Sequence, residues 1–295
     1  MTETVSIGVD LGGTAIKAGA VRGGEVLSRS SVPTPQDEEA CLQAIAAAAR
    51  EVGEEISEKG IGLGVPGVVQ PSGDSVAGSP NLSFLARKPL ASRVAEILGA
   101  PVKMGNDASL AALGEARHGA GAVHRDFFLV TLGTGVGGGL VLGGKLHTGP
   151  GMAGEIGHIR VDHQLTCACG AQGCLEAVLG AGPILELLRE AGAEAPSLPE
   201  AGEQARSGDS ESLEGFAQAG KHLGEALAQV ALLLDVRVFL LGGGVSAVTD
   251  LLAPSAMAVL EERAFGRGRE DFLIEQATLG EDAGVIGAAA FALEG

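Results

Sequence analysis

Two stretches of the chain carry the same order of short apolar runs and glycine turns roughly 120 residues apart, and this internal repeat constrains the fold more than any other feature. In the first stretch, Val5–Asp10, Ala18–Val21 and Glu25–Ser31 are separated by glycine turns. In the second, Phe127–Leu132, Gly138–Leu142 and Gly144–His147 follow the same plan. LGGT at Leu11–Thr14 answers LGTG at Leu132–Gly135, and AVRGGEV at Ala20–Val26 answers LVLGGKL at Leu140–Leu146. Short apolar runs bounded by glycine read as strands of a meander. Each meander is followed by alternating helices and strands. The first half continues with a helix over Asp37–Val52, a strand at Gly60–Val65, a helix at Ala91–Leu98, a strand at Pro101–Met104 and a helix at Ala108–Arg117. The second continues with a long helix at Leu213–Leu234, strands at Val236–Leu241 and Phe272–Ala277, and a last helix at Ala283–Leu293. The expectation is a duplicated α/β fold: two domains, 1–118 and 119–295, around a cleft, with the helix 283–293 packing back on the first domain. The Ala-, Glu-, Pro- and Ser-rich stretch Glu190–Gly208 reads as a surface connection.

Composition narrows the partners. A net charge of -17 repels a phosphate backbone, so nucleic-acid binding is not expected. No run reaches the roughly 20 apolar residues of a membrane span, and the acidic opening MTETVSIGVD does not resemble a signal peptide, so a cytoplasmic enzyme without a membrane partner is expected. The 48 glycines cluster between apolar runs, which points to tight turns and close backbone approach to a ligand. Of four cysteines, three fall within Cys167–Cys174, a spacing that suits a metal site better than a disulfide framework.

Four constellations carry chemistry. In Asp10-Leu11-Gly12-Gly13-Thr14-Ala15-Ile16-Lys17 a carboxylate leaves a strand end, Gly12 and Gly13 admit a phosphate, and Thr14 and Lys17 can donate to its oxygens. Asp10 is a candidate Mg²⁺ ligand. The matching loop of the repeat, with Gly133, Thr134, Gly135 and Gly137, is followed by a strand and so is neither a dinucleotide fingerprint nor a Walker A loop. A third turn, Gly242-Gly243-Gly244, lies between strand and helix, where an adenine ring could rest on bare backbone. At Asn106-Asp107 a strand ends and a helix starts; Asp107 is either the helix N-cap or a carboxylate placed to take a proton. Finally, Glu155-Ile156-Gly157-His158 precedes CACGAQGCLE at Cys167–Glu176, where three thiolates and one imidazole suit a closed tetrahedral Zn²⁺ site. His163 competes with His158 as the fourth ligand.

DLGGT, GND, GTGVGGG, EIGH and CxCGxxGCxE occur here in order and over essentially the whole chain, and together they resemble the ROK family (repressor, open reading frame, kinase). The resemblance implies an actin-like, ribonuclease-H-like ATPase fold closing over sugar and ATP, a homo-oligomer, and transfer of a phosphoryl group to the 6-hydroxyl of a hexose. Carried onto this chain, it makes Asp107 the catalytic base. Asn81, Asn106, Asp107, Glu155, His158 and Glu176 become sugar contacts, and His158, Cys167, Cys169 and Cys174 the zinc ligands. Glucose is the first substrate it implies, with N-acetylmannosamine and N-acetylglucosamine as alternatives. The chain departs from the family pattern at Phe84 and Leu85, where relatives commonly have a tryptophan, and at Ser109, where they often have asparagine. A sugar-sensing repressor of the same family would need a DNA-binding domain, and nine residues precede Asp10. A binding protein that keeps the cleft without turnover is the other rival.

Overall fold

The structure, a computed structural model, describes residues 4–53, 60–78 and 82–294. The first meander is β1 (Ser6–Leu11), β2 (Ala15–Arg22) and β3 (Glu25–Pro33), followed by helix α1 (Glu38–Val52) and strand β4 (Ile61–Val65). Helix α2 (Leu90–Leu98), strand β5 (Val102–Asn106) and helix α3 (Asp107–His118) complete the first half. The repeat opens with β6 (Phe127–Leu132), β7 (Val136–Leu142) and β8 (Lys145–His147). Helices α4 (Glu176–Leu179), α5 (Ala181–Glu190), α6 (Leu198–Arg206) and α7 (Ser210–Leu234) follow, then β9 (Val238–Gly242), α8 (Thr249–Arg263), β10 (Leu273–Gln276) and α9 (Ala283–Leu293).

The duplication seen in the sequence is a duplication of topology. One sheet runs β3-β2-β1-β4-β5; the other, read from its meander edge, runs β8-β7-β6-β9-β10. In the first, β1 pairs antiparallel with β2 and parallel with β4, and β4 is parallel to β5. In the second, β6, β9 and β10 are parallel, and β7 and β8 antiparallel. The same order of antiparallel meander and parallel strands in both is the actin-like arrangement. Compactness divides the chain otherwise than a single boundary at 118/119. One unit holds 1–125, 139–154 and 281–295; the other holds 126–138 and 155–280. The last helix, α9, therefore belongs to the first unit.

Burial explains the elements. β1 and β4 are buried along nearly their whole length, as strands covered on both faces must be, and they read as apolar runs. β3, at the sheet edge, alternates exposed and half-buried positions. In α1 the Asp37 side chain caps the helix by accepting from Ala40 N at 3.0 Å, and Cys41, Leu42, Ile45, Ala48, Ala49 and Val52 form its buried stripe. Cys41 is plain core.

The stretch Glu190–Gly208 is corrected: it contains α6, not only a connection. Ser197 caps it, accepting from Glu200 N and donating to Glu200 Oε1 at 3.0 Å, while Leu198, Ala201 and Ala205 are buried. Ser197-x-x-Glu200 was a legible start signal, but the apolar face is mostly alanine and too small to stand out. One helical stretch, Gly244–Arg263, is long and apolar enough to cross a membrane by length and composition. It is instead a core helix, with Leu252, Ala256 and Leu260 fully buried and Ala256 O facing Gly224 of α7.

Many of the glycines serve packing between elements. A Cβ at Gly8 of β1 would collide with Val285 O of α9, and one at Gly62 of β4 with Ala288 O. These two strand glycines let the last helix lie directly on the sheet. In α7, Gly220 and Gly224 do the same against Leu252 and Ala256 of α8. A side chain at Gly8 or Gly62 would have to push backbone, not a flexible side chain. Gly8→Ala and Gly62→Ala are each expected to lower stability by about 3 kcal/mol, the upper end for an overpacked core. Gly182→Ala, at an exposed helical position with open space around it, should be neutral or add up to about 1 kcal/mol. Urea denaturation of the three variants reads this directly; equal effects would show that the close approach costs nothing.

Candidate active site

In the first unit, the carboxyl ends of parallel strands gather the acidic residues, the position where ligands bind in open α/β sheets. Asp10 in β1, Gly64 in β4 and Gly105 in β5 lie in register across the sheet. A Cβ on Gly64 would stand 3.5 Å from Asp10 Oδ1 and 3.6 Å from Asp107 Cα. Gly64, which the sequence reading missed, is thus the bare position between the two acids. Burial pushes the Asp10 carboxyl above the usual carboxylate range, and the nearby Lys17 charge opposes this. Gly284 in the first turn of α9 approaches the same carboxylate, since a Cβ there would meet Asp10 Oδ2 at 2.8 Å. The residue sits where a cation would relieve the cost of burying its charge.

The Gly12–Thr14 turn is braced from outside. Gly12 N donates to Ala15 O at 2.9 Å and closes the turn between β1 and β2. Thr34, a second residue with no sequence signal, donates its hydroxyl to Gly12 O at 2.7 Å and its amide to Thr14 O at 3.0 Å. Thr14 remains exposed. Lys17 lies opposite Asp10 in the β1–β2 register, but its ammonium pairs with Glu281 at 3.0 Å.

Asn106, not Asp107, is the N-cap of α3. Its Oδ1 accepts from Ser109 N at 2.9 Å, and its Nδ2 donates to Gly67 O at 3.2 Å and to Asp107 Oδ1 at 3.0 Å. Asp107 Oδ1 also accepts from Ala108 N at 2.8 Å. The capping duty is discharged by the asparagine, and the aspartate is held by two donors at the positive end of a helix. Asn81 lies outside the described residues.

In the second unit, the glycine loop after β6 is closed by Gly133 N donating to Gly135 O at 3.0 Å. Ala181 N donates to Gly133 O at 2.8 Å, and Gly180 packs on Thr134 O. Around Gly133 the space is open, but beside Gly135 it is filled: a Cβ there would be 2.5 Å from Glu176 Oε2, which accepts from Val136 N at 3.0 Å. Of the third turn, Gly243 has φ +81° and its Cβ space is taken by the Leu132 carbonyl, whereas Gly244 faces open space. Gly242 abuts Leu129 and Ala277. Two of the three are there for the turn and the packing, and only Gly244 offers an open face.

The ligand atoms of His158, Cys167, Cys169 and Cys174 all lie within 4.8 Å of one another. Cys169 Sγ and Cys174 Sγ are 3.7 Å apart, and His158 Nδ1 is 4.0 Å from Cys167 Sγ. Tetrahedral thiolates at 2.3 Å from a zinc ion would be about 3.8 Å apart, so the donor set fits such a centre. His163 is excluded by its own bonds: Nδ1 accepts from Leu165 N at 3.0 Å and Nε2 faces Cys174 O at 3.0 Å. His158 turns its other nitrogen, Nε2, toward Glu155 Oε2 at 3.9 Å. Burial raises the Glu155 carboxyl above its ordinary range, the His158 charge opposes the rise, and Glu176 adds to it. Glu155, His158, Glu176 and the cysteines are therefore one cluster.

The chain matches the ROK family over residues 6–294 and belongs to it. It is 37% identical to a glucokinase of Streptomyces coelicolor, over 98% of each chain. To an N-acetylmannosamine kinase of Haemophilus influenzae it is 30% identical, over 96% of this chain and 93% of the other. The crystal structure of a ROK family glucokinase from Streptomyces griseus in complex with glucose and AMPPNP shares the fold with a TM-score of 0.85. That protein is 35% identical, with 99% of this chain and 100% of the other covered.

The hydrogen bonds of the two histidines give a sharp expectation. A metal held by this cluster should be lost from His158→Ala, while His163→Ala should retain about one ion per chain, the number for a single four-ligand centre. Elemental analysis of the purified variants decides it, and the reverse pattern would exchange the two assignments.

Proposed function

We propose that this chain is an ATP-dependent hexose kinase that phosphorylates the 6-hydroxyl of glucose. The observation that carries the reading is the Asp107 carboxylate. It is fixed at the head of α3 by Asn106 Nδ2 and Ala108 N, beside Asp10 at the carboxyl ends of parallel strands. A kinase needs a positioned carboxylate to accept the proton of the attacking hydroxyl, and its remaining task is to hold phosphates in place. Asp107 takes that proton as the hydroxyl oxygen attacks the γ-phosphorus and ADP leaves. The Gly12–Thr14 and Gly133–Gly137 turns offer the triphosphate backbone amides, with Gly244 as an open surface for the base. Asn106, Glu155, His158 and Glu176 serve as sugar contacts, with Asn81 added from the family pattern. Asp10 would hold Mg²⁺, directly or through water, and the ion would screen the phosphate charge. His158, Cys167, Cys169 and Cys174 would hold a structural Zn²⁺ that shapes the loop bearing the sugar contacts.

The greater similarity to glucokinases supports glucose ahead of N-acetylmannosamine, the second substrate the relatives suggest. The same reading puts the enzyme in the cytoplasm at the head of glycolysis, as a dimer or tetramer without nucleic-acid or membrane partners.

A panel of hexoses and N-acetylhexosamines assayed with ATP should give its highest kcat/KM for glucose; activity on N-acetylmannosamine alone would replace the substrate. Asp107→Asn should lower kcat by about 10²–10⁴-fold, the usual contribution of a positioned general base, with folding intact. A near-normal rate in that variant would remove Asp107 from the mechanism.

A further inference from the structure

The segment from Glu176 to Ala181 touches the glycine loop at both of its ends. Glu176 Oε2 accepts from Val136 N at 3.0 Å and fills the space that the bare Gly135 leaves. Five residues on, Ala181 N donates to Gly133 O at 2.8 Å, and Gly180 lies against Thr134 O. Between these contacts runs a single turn of helix, α4. The same segment is anchored upstream in the cysteine loop: Leu175 N donates to Ile159 O at 2.9 Å and Ala177 N to Cys174 O at 3.0 Å. The second carboxylate oxygen, Glu176 Oε1, lies 3.8 Å from Cys167 Sγ, on the side of Glu155 and His158. One carboxylate therefore has one oxygen on the phosphate loop and the other among the residues assigned to the sugar.

We propose that Glu176 is a positioning residue for the phosphate loop, through which sugar bound at the Glu155–His158–Glu176 cluster orders Gly133–Val136 and raises nucleotide affinity. The inference rests on the sugar-kinase reading and adds a coupling to it. A hydroxyl that binds Oε1 restricts the carboxylate, and the restricted carboxylate holds Val136 N and the loop in the geometry that receives phosphate. The nucleotide then binds a loop whose ordering has already been met, the general basis of positive coupling between two ligands. The effect must be reciprocal, so nucleotide strengthens sugar binding by the same factor.

Calorimetric titration of AMPPNP with Mg²⁺, in the presence and absence of saturating glucose, tests the proposal without turnover. Glucose should tighten nucleotide binding to the unaltered protein by about 10-fold, within the span usual for coupled sites. In Glu176→Ala, nucleotide alone should bind about 10-fold more weakly, the order expected for losing a hydrogen bond to a charged acceptor, and glucose should add nothing. Glu176→Gln keeps an oxygen for Val136 N and should recover nucleotide affinity to within about 2-fold while sugar binding stays weak. Gly135→Ala, whose methyl displaces the carboxylate from Val136, should reproduce the nucleotide defect with Glu176 in place, and it serves if Glu176→Ala fails to fold. Unchanged coupling in Glu176→Ala, or an unaltered protein without coupling, overturns the proposal even where glucose is phosphorylated. Loss of bound metal from Glu176→Gln would also overturn it, since the residue would then act by supporting the cysteine loop. A protein that neither binds nor phosphorylates any hexose fails the kinase reading instead. The sugar-free nucleotide affinity of Glu176→Ala still decides the loop contact in that case.

Discussion

The approach of α9 to the first sheet governs the geometry of the acids. Gly8 and Gly62 have no side chains, so the helix backbone rests on β1 and β4 at a distance no Cβ would permit. Because the helix lies that low, Gly284 in its first turn reaches the Asp10 carboxylate. The next glycine of the helix, Gly287, meets the Leu110 carbonyl and seats α3, the helix that begins at Asp107. Asp10 and Asp107 thus owe their relative placement to backbone contacts in a buried core, where close packing resists small adjustments. Two acids held this way remain in place without substrate, which is the condition for electrostatic preorganisation.

The second unit solves a related problem with side chains. No helix follows its glycine loop in the chain to aim backbone amides, because β7 begins at once. The Glu176 carboxylate and the α4–α5 backbone take that part, and both descend from the cysteine loop. A metal centre at the base of this segment would stiffen the whole of it. Cys167 and Cys174 are buried while His158 and Cys169 reach the surface.

The two meanders were legible because each carries short apolar runs bounded by glycine turns, and because the repeat exposes itself; the order of the parallel strands beyond them was not read from the sequence. The acids at strand ends were legible for the same reason. Helix α6 was not, since its buried stripe of Leu198, Ala201 and Ala205 is weak in a composition already rich in alanine. Whether Asp107 caps α3 was also closed to sequence reasoning, because Asn106 beside it is a residue type that caps equally well. It took the Asn106 Oδ1 to Ser109 N bond to settle it. His158 and His163 were separable only in three dimensions, through the partners of the His163 ring and the place of His158 Nδ1 among the thiols. The glycine count misled in part. Gly8, Gly62, Gly220 and Gly224 face neighbouring backbone, and periodicity cannot tell a glycine that admits a helix from one that admits a phosphate.

An acidic chain that binds a polyanion must draw its attraction from something other than net charge. With -17 overall, the long-range field opposes the approach of nucleotide. The cation nearest Asp10, Lys17, is already matched by Glu281 at 3.0 Å, so it lends the glycine turn little unspent charge. What remains is short-range: amides in tight turns. Interactions of this kind act only over a few ångströms and only when the donors are already aimed. Both glycine turns are braced by residues behind them: Thr34 on Gly12 and Thr14, and Glu176 on Val136. Bracing of this kind keeps the amides of each turn aimed, which short-range contacts require where the net charge of -17 opposes an anion.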